Sequence, residues 1–540
     1  MRDDVAIETD PPTLPAPSAV VTVEPGEARL EVGGTLELRV SVEGTDDVSV
    51  VWSASGGALD AVGGSAAFTG VEAGVFTVTA TSVADPGGSA SATVTVVPVS
   101  AVAAVEVQPA SLYLVEGGTS ALAATVTTTG DASSEVAWLT SDASVATVDE
   151  TDGTVVAVGP GRATVRAVSV ADTGVEGRVE VTVGSVSNTW VSVGDEHSTI
   201  RDAVPGGAVA RAWGSNALGQ LGDGTTTDRS EPVAVLDADE TEAVAAGGRH
   251  TLVLRDDGTV LAFGDNYAGQ LGDGTIVDRA QPVAVPGLSG VVAVAARGGH
   301  SLALREDGTV WAWGANADLQ AGPSGGDAVL RPAAVPGVSD AIAVAAGGLH
   351  SLALLADGTV LAWGANALGQ LGDGTTEGRA EPRQVHGLEG IVAVAGGGRH
   401  SLALASDGTV YAWGSNGSGR LGDGTTEPRL VPVPVPGLGP ARAVAAGGLH
   451  SLALGRDGRV YAWGDNAWGQ LGDGTTDDRA SAGAVADLAN VRAISAAWRH
   501  SLVLGDDGVA RAWGDNAFGQ LGDGTTVSRS QPVIVGSGGP

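Results

Sequence analysis

The sequence of 540 residues contains no cysteine, no lysine and a single methionine. Without cysteine the chain can form neither disulfide bonds nor cysteine-ligated metal sites, and thiol catalysis is excluded. Without lysine it cannot contain the Gly-Lys-Ser/Thr loop that holds nucleotide phosphates. No apolar run approaches the ~18–20 residues of a membrane span, so we expect no membrane insertion.

Positive charge is also scarce, with 28 arginines against 63 acidic residues and a formal net charge of −35. Proteins that bind nucleic acid or anionic membranes need the opposite balance, so neither is an expected partner. The first residues, Met1-Arg-Asp-Asp, contain no apolar signal core. Either the protein is cytosolic or the sequence begins after a removed export signal.

Glycine is abundant, at 84 residues, and is accompanied by 24 prolines. This composition is typical of many tight turns between short strands, so we expect an all-β fold. Residues 1–17 contain Pro11-Pro12 and Pro15-Ala-Pro17 but no apolar pattern. They are predicted to form a disordered, proline-rich leader.

Two β-sandwich domains are predicted next, because apolar and polar residues alternate between glycine breaks. Val105-Glu-Val-Gln-Pro109 repeats the pattern of Val21-Thr-Val-Glu-Pro25, so the two domains are related. Each domain has one tryptophan, Trp52 or Trp138, which we expect in its core. The predicted bounds are 18–98 and 99–186.

The second domain resembles the bacterial Ig-like group 2 family. The resemblance is carried by Val136-Ala-Trp-Leu-Thr-Ser-Asp-Ala-Ser-Val-Ala-Thr-Val148, by Gly153-Thr-Val155 and by Gly159-Pro-Gly-Arg-Ala-Thr-Val165. The first domain has Val51-Trp-Ser-Ala-Ser55 but lacks the Ser-Val-Ala-Thr-Val block. The resemblance implies an extracellular or surface module that spaces or adheres, without catalysis.

A unit of fifty residues organises the rest of the chain, 187–540. A histidine recurs at every multiple of fifty from His250 to His500, and a Trp-Gly or Phe-Gly pair follows it. An earlier copy contains His197 and Trp213, which brings the number of units to seven. Fixed spacing over so many copies is the signature of a repeat architecture.

Each unit offers four strand-like runs, which in one copy are Pro282–Val285, Val291–Ala296, Ser301–Leu304 and Thr309–Gly314. The Asp-Gly pair between the last two predicts a hairpin with a type I′ turn. Four strands in each of seven units predict a seven-bladed β-propeller.

The chain ends with a Pro-Val strand that the first unit lacks at its start. Pro532-Val-Ile-Val535 is therefore predicted to complete the first blade and close the ring. A chain that stops at about Ser530 should then have a melting temperature well below that of the intact protein.

The repeated segments His-Ser-Leu-Ala-Leu, Asp-Gly-Thr-Val and Ala-Trp-Gly-x-Asn-x-x-Gly-Gln-Leu-Gly-Asp-Gly-Thr occur in this order, for example from His350 to Thr375. Residues 187–540 thereby resemble the regulator of chromosome condensation repeat family. Two departures are local. The first unit has Val204-Pro-Gly-Gly207 in place of the Asp-Gly hairpin, and the third loop, after Asn316, lacks Gly-Asp-Gly-Thr.

The recurring residues are interpreted as structural. Seven equivalent histidines are unlike a catalytic base or metal ligand, and we expect them to bond backbone groups at their turns. The tryptophans are expected in the core between blades. The Gly-Asp-Gly-Thr loop lacks the residue order of a calcium loop, so a glycine-supported turn is the better interpretation. No catalytic set departs from the repeat, so we expect no enzyme, no cofactor and no metal site.

Binding residues are expected where equivalent positions differ, since a constant scaffold presents its function in variable turns. Two positions vary in this way: the residue before the histidine, and the residue two places before the glutamine of the Gly-Gln pair. The candidate binding residues, with immediate neighbours, are Glu196, Arg249, Leu349, Arg399, Leu449, Trp498 and Arg499 in the first series and Tyr267, Trp468 and Phe518 in the second. Neutral loop drift is the alternative interpretation of any one of them.

We interpret the protein as a non-enzymatic binding protein at the cell surface or outside the cell, in which two Ig-like spacers carry a propeller. The expected partner is a protein or a glycan, and the expected state is a monomer. The repeat family includes a secreted bacterial inhibitor of β-lactamases, so inhibition of a secreted enzyme is a narrower hypothesis, by analogy. The alternatives are guanine-nucleotide exchange on a small GTPase, as in the family's founding member, and a polysaccharide-active propeller enzyme.

Overall fold

A computed structural model describes residues 18–115, 119–159, 161–184, 190–204, 207–323 and 326–536. Every regular element in these ranges is a β-strand, which confirms the predicted all-β fold. These ranges contain no helix long and apolar enough to cross a lipid bilayer. The leader predicted over 1–17 lies outside the described residues.

The first domain is a sandwich of two four-stranded sheets. Its strands are β1 (Val20–Glu24), β2 (Glu27–Glu31), β3 (Thr35–Glu43), β4 (Val50–Ala54), β5 (Ala58–Val62), β6 (Ser65–Thr69), β7 (Gly74–Ser82) and β8 (Ser89–Val97). The strand orders are β1-β3-β6-β5 and β2-β8-β7-β4. Leu38, Phe68 and Val94 are fully buried in the core. Trp52 packs against this core but is only half-buried, and its indole N–H donates to the carbonyl of Gly63 at 3.2 Å.

The second domain is also a sandwich and shares a topological feature with the first. Its strands are β9 (Ala101–Gln108), β10 (Ser111–Val115), β11 (Thr119–Ala121), β12 (Ala123–Thr129), β13 (Val136–Thr140), β14 (Ala146–Val148), β15 (Thr154–Ala157), β16 (Gly161–Ser169) and β17 (Glu176–Gly184). Their sheets are β10-β17-β16-β13, β11-β15-β14 and β12-β9. The second strand of each domain pairs in parallel with the last, as β2–β8 and β10–β17. Trp138 is buried in the core, as predicted.

The remaining strands form seven four-stranded antiparallel sheets, each of which we call a blade. Blades 1 to 3 contain β18 (Val191–Val193), β19 (His197–Val204), β20 (Gly207–Gly214) and β21 (Arg229–Asp239); β22 (Thr241–Ala246), β23 (His250–Arg255), β24 (Val260–Gly264) and β25 (Arg279–Ala284); and β26 (Val291–Arg297), β27 (His300–Arg305), β28 (Val310–Ala315) and β29 (Ala328–Ala334).

Blades 4 to 7 follow the same plan. They contain β30 (Ala341–Ala346), β31 (His350–Leu355), β32 (Val360–Gly364) and β33 (Arg379–Gln384); β34 (Ile391–Gly396), β35 (His400–Ala405), β36 (Val410–Gly414) and β37 (Arg429–Pro434); β38 (Ala441–Ala446), β39 (His450–Gly455), β40 (Val460–Gly464) and β41 (Arg479–Ala484); and β42 (Val491–Ala496), β43 (His500–Gly505), β44 (Ala510–Gly514) and β45 (Arg529–Ile534). The strands of every blade lie in chain order.

Burial explains the sequence of each strand. The first strands of neighbouring blades contact one another around a common axis, and their alanines and valines are small enough to allow it. The second strands are buried on both sides by adjacent blades, which suits a continuous run such as Ser-Leu-Ala-Leu. The fourth strands are partly exposed and tolerate proline and charge, as expected for a sheet edge.

The hairpin predicted by Asp-Gly is present, but its turn type differs from the prediction. The N–H of Gly308 donates to the carbonyl of Arg305 at 2.9 Å, and of the Asp-Gly pair Gly308 alone has a positive φ, of 75°. This geometry is a type I turn followed by a glycine in the left-handed region. The carboxylate of Asp307 accepts the N–H of Thr309 at 3.0 Å, which gives the aspartate its role.

The prediction that the C-terminal strand completes the first blade is wrong. β45 pairs with β44 in its own blade, and blade 1 takes its fourth strand from β21. Each Pro-Val strand belongs to the unit before it, because the loop after the Trp-Gly strand returns the chain to the free edge of the same sheet. Blade 7 meets blade 1 through side chains instead. His500 Nε2 lies 2.9 Å from Ser198 Oγ, and Trp213 Nε1 donates to the carbonyl of Gln520 at 2.9 Å.

Candidate functional site

The repeated histidines join neighbouring blades. His250 Nε2 lies 2.9 Å from the hydroxyl of Ser301 in the next blade, and that hydroxyl donates to the carbonyl of Gln270 at 2.9 Å. A serine hydroxyl has one hydrogen, so Nε2 must be the donor to Ser301. The indole N–H of Trp313 donates to the same carbonyl at 2.9 Å. The equivalent histidine pairs are His197–Thr251, His300–Ser351, His350–Ser401, His400–Ser451, His450–Ser501 and His500–Ser198.

These histidines are neutral structural groups. Burial lowers the pKa of His250 to about 3 and that of His300 to about 4. The second ring nitrogen, Nδ1, is buried and has no hydrogen-bond partner among the described residues. The structural interpretation is confirmed, but the expected partner was wrong: each histidine bonds a hydroxyl of the next blade rather than the backbone of its own turn.

The Gly-Asp-Gly-Thr loop is held by its own side chains. Asn266 Nδ2 donates to Asp273 Oδ1 at 3.2 Å, and the hydroxyl of Thr275 donates to the same oxygen at 2.7 Å. Arg279 donates to Asp273 Oδ2 at 2.8 Å. Both carboxylate oxygens are therefore engaged inside the loop, which accounts for the recurrence of Asp, Thr and Arg at these positions.

The two variable series lie on one face of the propeller. His250 pairs with Gly264 across the second and third strands, so the turn before the histidine and the loop after the Trp-Gly strand leave the sheet at the same end. The N–H of Asp265 donates to the carbonyl of Arg249 at 2.9 Å. We call this end of the propeller the turn–loop face; it comprises the residues before the seven histidines and the loops that begin with Ser-Asn, Asp-Asn or Ala-Asn.

Residues of the two series come together across blade boundaries. The guanidinium of Arg499 lies over the ring of Trp468 in the preceding blade, 4.9 Å from its centroid. In the same relation, Tyr267 lies beside Gly299, where an added Cβ would be 3.4 Å from the tyrosine hydroxyl. In the repeat, Phe518 corresponds to Trp468, and Glu196 of the first unit corresponds to Arg499.

Large side chains on this face are accessible. The exposed fractions are 69% for Tyr267, 40% for Trp468 and 37% for both Trp498 and Phe518. The arginines of the first series, Arg249, Arg399 and Arg499, are exposed, whereas Glu196, Leu349 and Leu449 are half-buried. None of these three arginines forms an ion pair with a described residue. The face thus combines exposed aromatic rings with exposed guanidinium groups that form no ion pair with a described residue.

Sequence reasoning missed two charged residues beside this face. Asp195 stands where most units have glycine, and burial raises the pKa of its carboxyl against the opposing charges of Arg297, Arg249 and Arg499. Arg297 occupies a position that is glycine or alanine in the other units. Both residues could have been identified from the sequence, because each is a charged residue at a position where the other units have a different, uncharged residue.

The second Ig-like domain contacts the other end of the propeller. Arg162 Nη1 donates to Asp340 Oδ1 at 2.8 Å, and Asp340 directly precedes the first strand of blade 4. The first strand runs from that end towards the turn that precedes the histidine. The contact with the Ig-like domain therefore leaves the turn–loop face accessible.

Family models match most of the described chain. The RCC1-like domain model matches residues 289–539, and the Regulator of chromosome condensation (RCC1) repeat models match 212–254, 257–304 and 242–270. The bacterial Ig-like domain (group 2) model matches 101–183. Both resemblances inferred from the sequence are confirmed. No curated protein matches the sequence closely enough to count as a relative.

Solved structures show the same propeller fold. Yeast RCC1 (Prp20), bound to Kap60, is 24% identical with a TM-score of 0.55, over 64% of this chain and 85% of that chain. Human WBSCR16 is 27% identical with a TM-score of 0.54, over 58% and 86%. Prp20p from Saccharomyces cerevisiae, described with its binding properties to Gsp1p and histones, is 24% identical with a TM-score of 0.53, over 64% and 87%.

Proposed function

Residues 212–539 belong to the regulator of chromosome condensation (RCC1) repeat family, and from this premise we propose that their propeller is a non-enzymatic module that binds a protein partner through the turn–loop face. One observation carries the proposal: Arg499 stacked on exposed Trp468, on a face that also presents Tyr267, Trp498 and Phe518. Tryptophan, tyrosine and arginine are the residues that dominate binding energy at protein interfaces.

The chemistry of the face favours a partner with acidic and apolar groups. The arginines of the first series can each offer several N–H donors to carboxylates, because their side chains are exposed and form no ion pair with a described residue. The rigid rings add apolar area at a small entropic cost, since an aromatic side chain has two rotatable bonds. The protein partners named for the yeast propellers, Kap60, Gsp1p and histones, support protein recognition as a use of this fold.

We further propose that the protein acts at the cell surface or outside the cell as a monomer, with the Ig-like domains as spacers. The bacterial Ig-like family of the second domain supports this location. The Arg162–Asp340 contact supports the spacer role, because it joins the second domain to the end of the propeller that is remote from the turn–loop face. Inhibition of a secreted enzyme is one function that such an arrangement would serve; recognition of a glycan by the aromatic rings is another.

The test uses the full chain as bait on secreted and surface proteins of the source organism, followed by affinity measurement with the captured protein. Trp468→Ala and Arg499→Ala should each weaken binding by about 2 kcal/mol or more if they are interface anchors. Tyr411→Leu is the matched control, because Tyr411 lies on a third strand away from the face and leucine stands there in other units. Equal affinity for the wild type and both face variants, with unchanged melting, would refute the assignment of the face.

A further inference from the structure

The first strands of the blades enclose a cavity of about 570 Å³ on the propeller axis. Its wall is formed mainly by alanine and valine side chains of β22, β26, β30, β34, β38 and β42. A volume of this size is typical of pockets that hold small organic molecules. The wall alone would therefore accept the apolar body of such a ligand.

The charged residues that line this cavity are all basic. They are Arg297, Arg442, Arg456 and Arg492, and no aspartate or glutamate is among the lining residues. None of the four forms an ion pair with a described residue. In a chain with a net charge of −35 and more than twice as many acids as arginines, this segregation gives the cavity a charge opposite to that of the protein.

Arg297 lies across one end of the cavity. Its Nη1 donates to the carbonyls of Ala446 at 2.8 Å and Ala496 at 3.2 Å, on blades opposite its own. Its Nη2 is buried and has no hydrogen-bond partner among the described residues. The equivalent residues in the other units are Gly194, Gly247, Gly347, Gly397, Gly447 and Ala497. The charge of Asp195 stabilises this guanidinium, but the two groups form no ion pair, so the buried Nη2 still lacks an acceptor. A buried guanidinium N–H without an acceptor is costly, which leaves room for a further anionic partner.

The other three arginines lie at the opposite end. Arg442 and Arg492 are the second residues of β38 and β42, about 13 Å along the strand from the carbonyls that hold Arg297. Arg442 donates to the carbonyl of Val491, and Arg492 stacks on Trp190 at 4.7 Å. Arg456 donates to the carbonyl of Ser406 at 2.7 Å, and all three arginines are exposed. Ser144 and Gly159 of the second Ig-like domain line the same end.

We propose that this axial cavity binds an amphipathic organic anion, whose carboxylate pairs with Arg297 and whose aliphatic body lies against the alanine and valine wall. Arg442, Arg456 and Arg492 attract the anion to the entrance and raise its rate of association. The entrance at Arg442, Arg456 and Arg492 lies at the end of the propeller remote from the turn–loop face, so entry of the anion does not require the protein partner proposed for that face.

The test is titration calorimetry of the full chain with decanoate, in parallel with decylamine as the cationic counterpart. We expect saturable binding of one decanoate per chain and none of decylamine. Arg297→Gly, which installs the residue of the other units, should weaken decanoate binding by at least about tenfold. Arg459→Thr is the control: it removes an exposed arginine outside the cavity, at a position that is threonine in most units, and should change the affinity by less than about twofold.

Two further measurements keep the proposal open to refutation if Arg297→Gly fails to fold. Arg492→Ala should reduce the dependence of decanoate affinity on salt, since it removes an attracting charge at the entrance. A crystal soaked with ω-bromodecanoate should show its bromine on the propeller axis. No saturable decanoate binding at about 1 mM, equal binding by a folded Arg297→Gly protein, or a bromine elsewhere would each overturn the proposal.

Discussion

Acid should unfold the propeller well before the Ig-like domains, because seven buried histidines are held neutral. An unfolded histidine titrates near the ordinary value of 6.5, whereas burial lowers the pKa of His197 to about 4 and that of His350 to about 3. Between these values the unfolded chain binds more protons than the folded one. The stabilisation is therefore complete above about pH 6.5 and is lost as the pH falls towards the folded values.

The size of the effect follows from the number of sites. One pH unit below 6.5, each buried histidine lowers the free energy of unfolding by about 1.4 kcal/mol, so the seven together lower it by about 10 kcal/mol. For a propeller of about 350 residues with an unfolding entropy near 2.1 cal/mol/K per residue, this lowers the melting temperature by roughly 13 °C. Burial raises the pKa of Asp195 and Asp265, so these two carboxyl groups oppose the loss of stability at acid pH. The seven buried histidines outnumber them.

The assay is scanning calorimetry of the full chain at about pH 7.5 and about pH 5.5. All eight histidines lie between 197 and 500, so the transition of the Ig-like domains is an internal control. His350→Gln keeps an N–H donor for Ser401 but cannot titrate, and it should reduce the protons taken up on unfolding by about one. A propeller transition that shifts no more than the Ig-like one would show that the histidines are not held neutral by the fold.

Two further predictions concern the bonds and backbone between blades. Trp363→Phe should lower the free energy of unfolding by about 1 kcal/mol, because it removes the hydrogen bond from the indole N–H to the carbonyl of Gln320 at 2.9 Å. The reciprocal change Phe263→Trp should raise the free energy of unfolding by a similar amount. Equal urea midpoints for the wild type and both variants would contradict this prediction. Gly414→Ala should cost about 2 kcal/mol or more, since Gly414 has a φ of 98° and an added Cβ would lie 2.8 Å from a carbonyl oxygen. Gly437→Ala, with a positive φ but open space around it, should cost less than half as much in the same thermal melts.

Much of the architecture can be predicted from local pattern. Alternation and glycine breaks are properties of neighbouring residues, so strands such as β3 and the Asp-Gly hairpins follow directly from the sequence. The fifty-residue period likewise predicts repeated units, and the tryptophan of each unit is identified as a core residue by its recurrence. The turn type at Asp307-Gly308 escaped prediction because Asp-Gly suits both a type I′ turn and a type I turn followed by a left-handed glycine.

The pairing of repeated elements was decided by the tertiary structure alone. In a strict repeat, a Pro-Val strand has one unit before it and one after it, and the period does not show which of the two it pairs with, so it could not show that β45 stays in blade 7. The same holds for His250, whose partner Ser301 lies in the next unit, and for Trp468 and Arg499, which meet across a blade boundary.

By itself, the sequence determined the β-fold, the related Ig-like domains, the repeat and the positions at which its copies differ, because these depend on spacing and residue type. It did not determine that two variable series share one face, or that Arg297 crosses an axial cavity whose charged lining residues are all basic. Those features depend on how the blades are arranged around the axis, which brings together residues that are 149 positions apart in the chain.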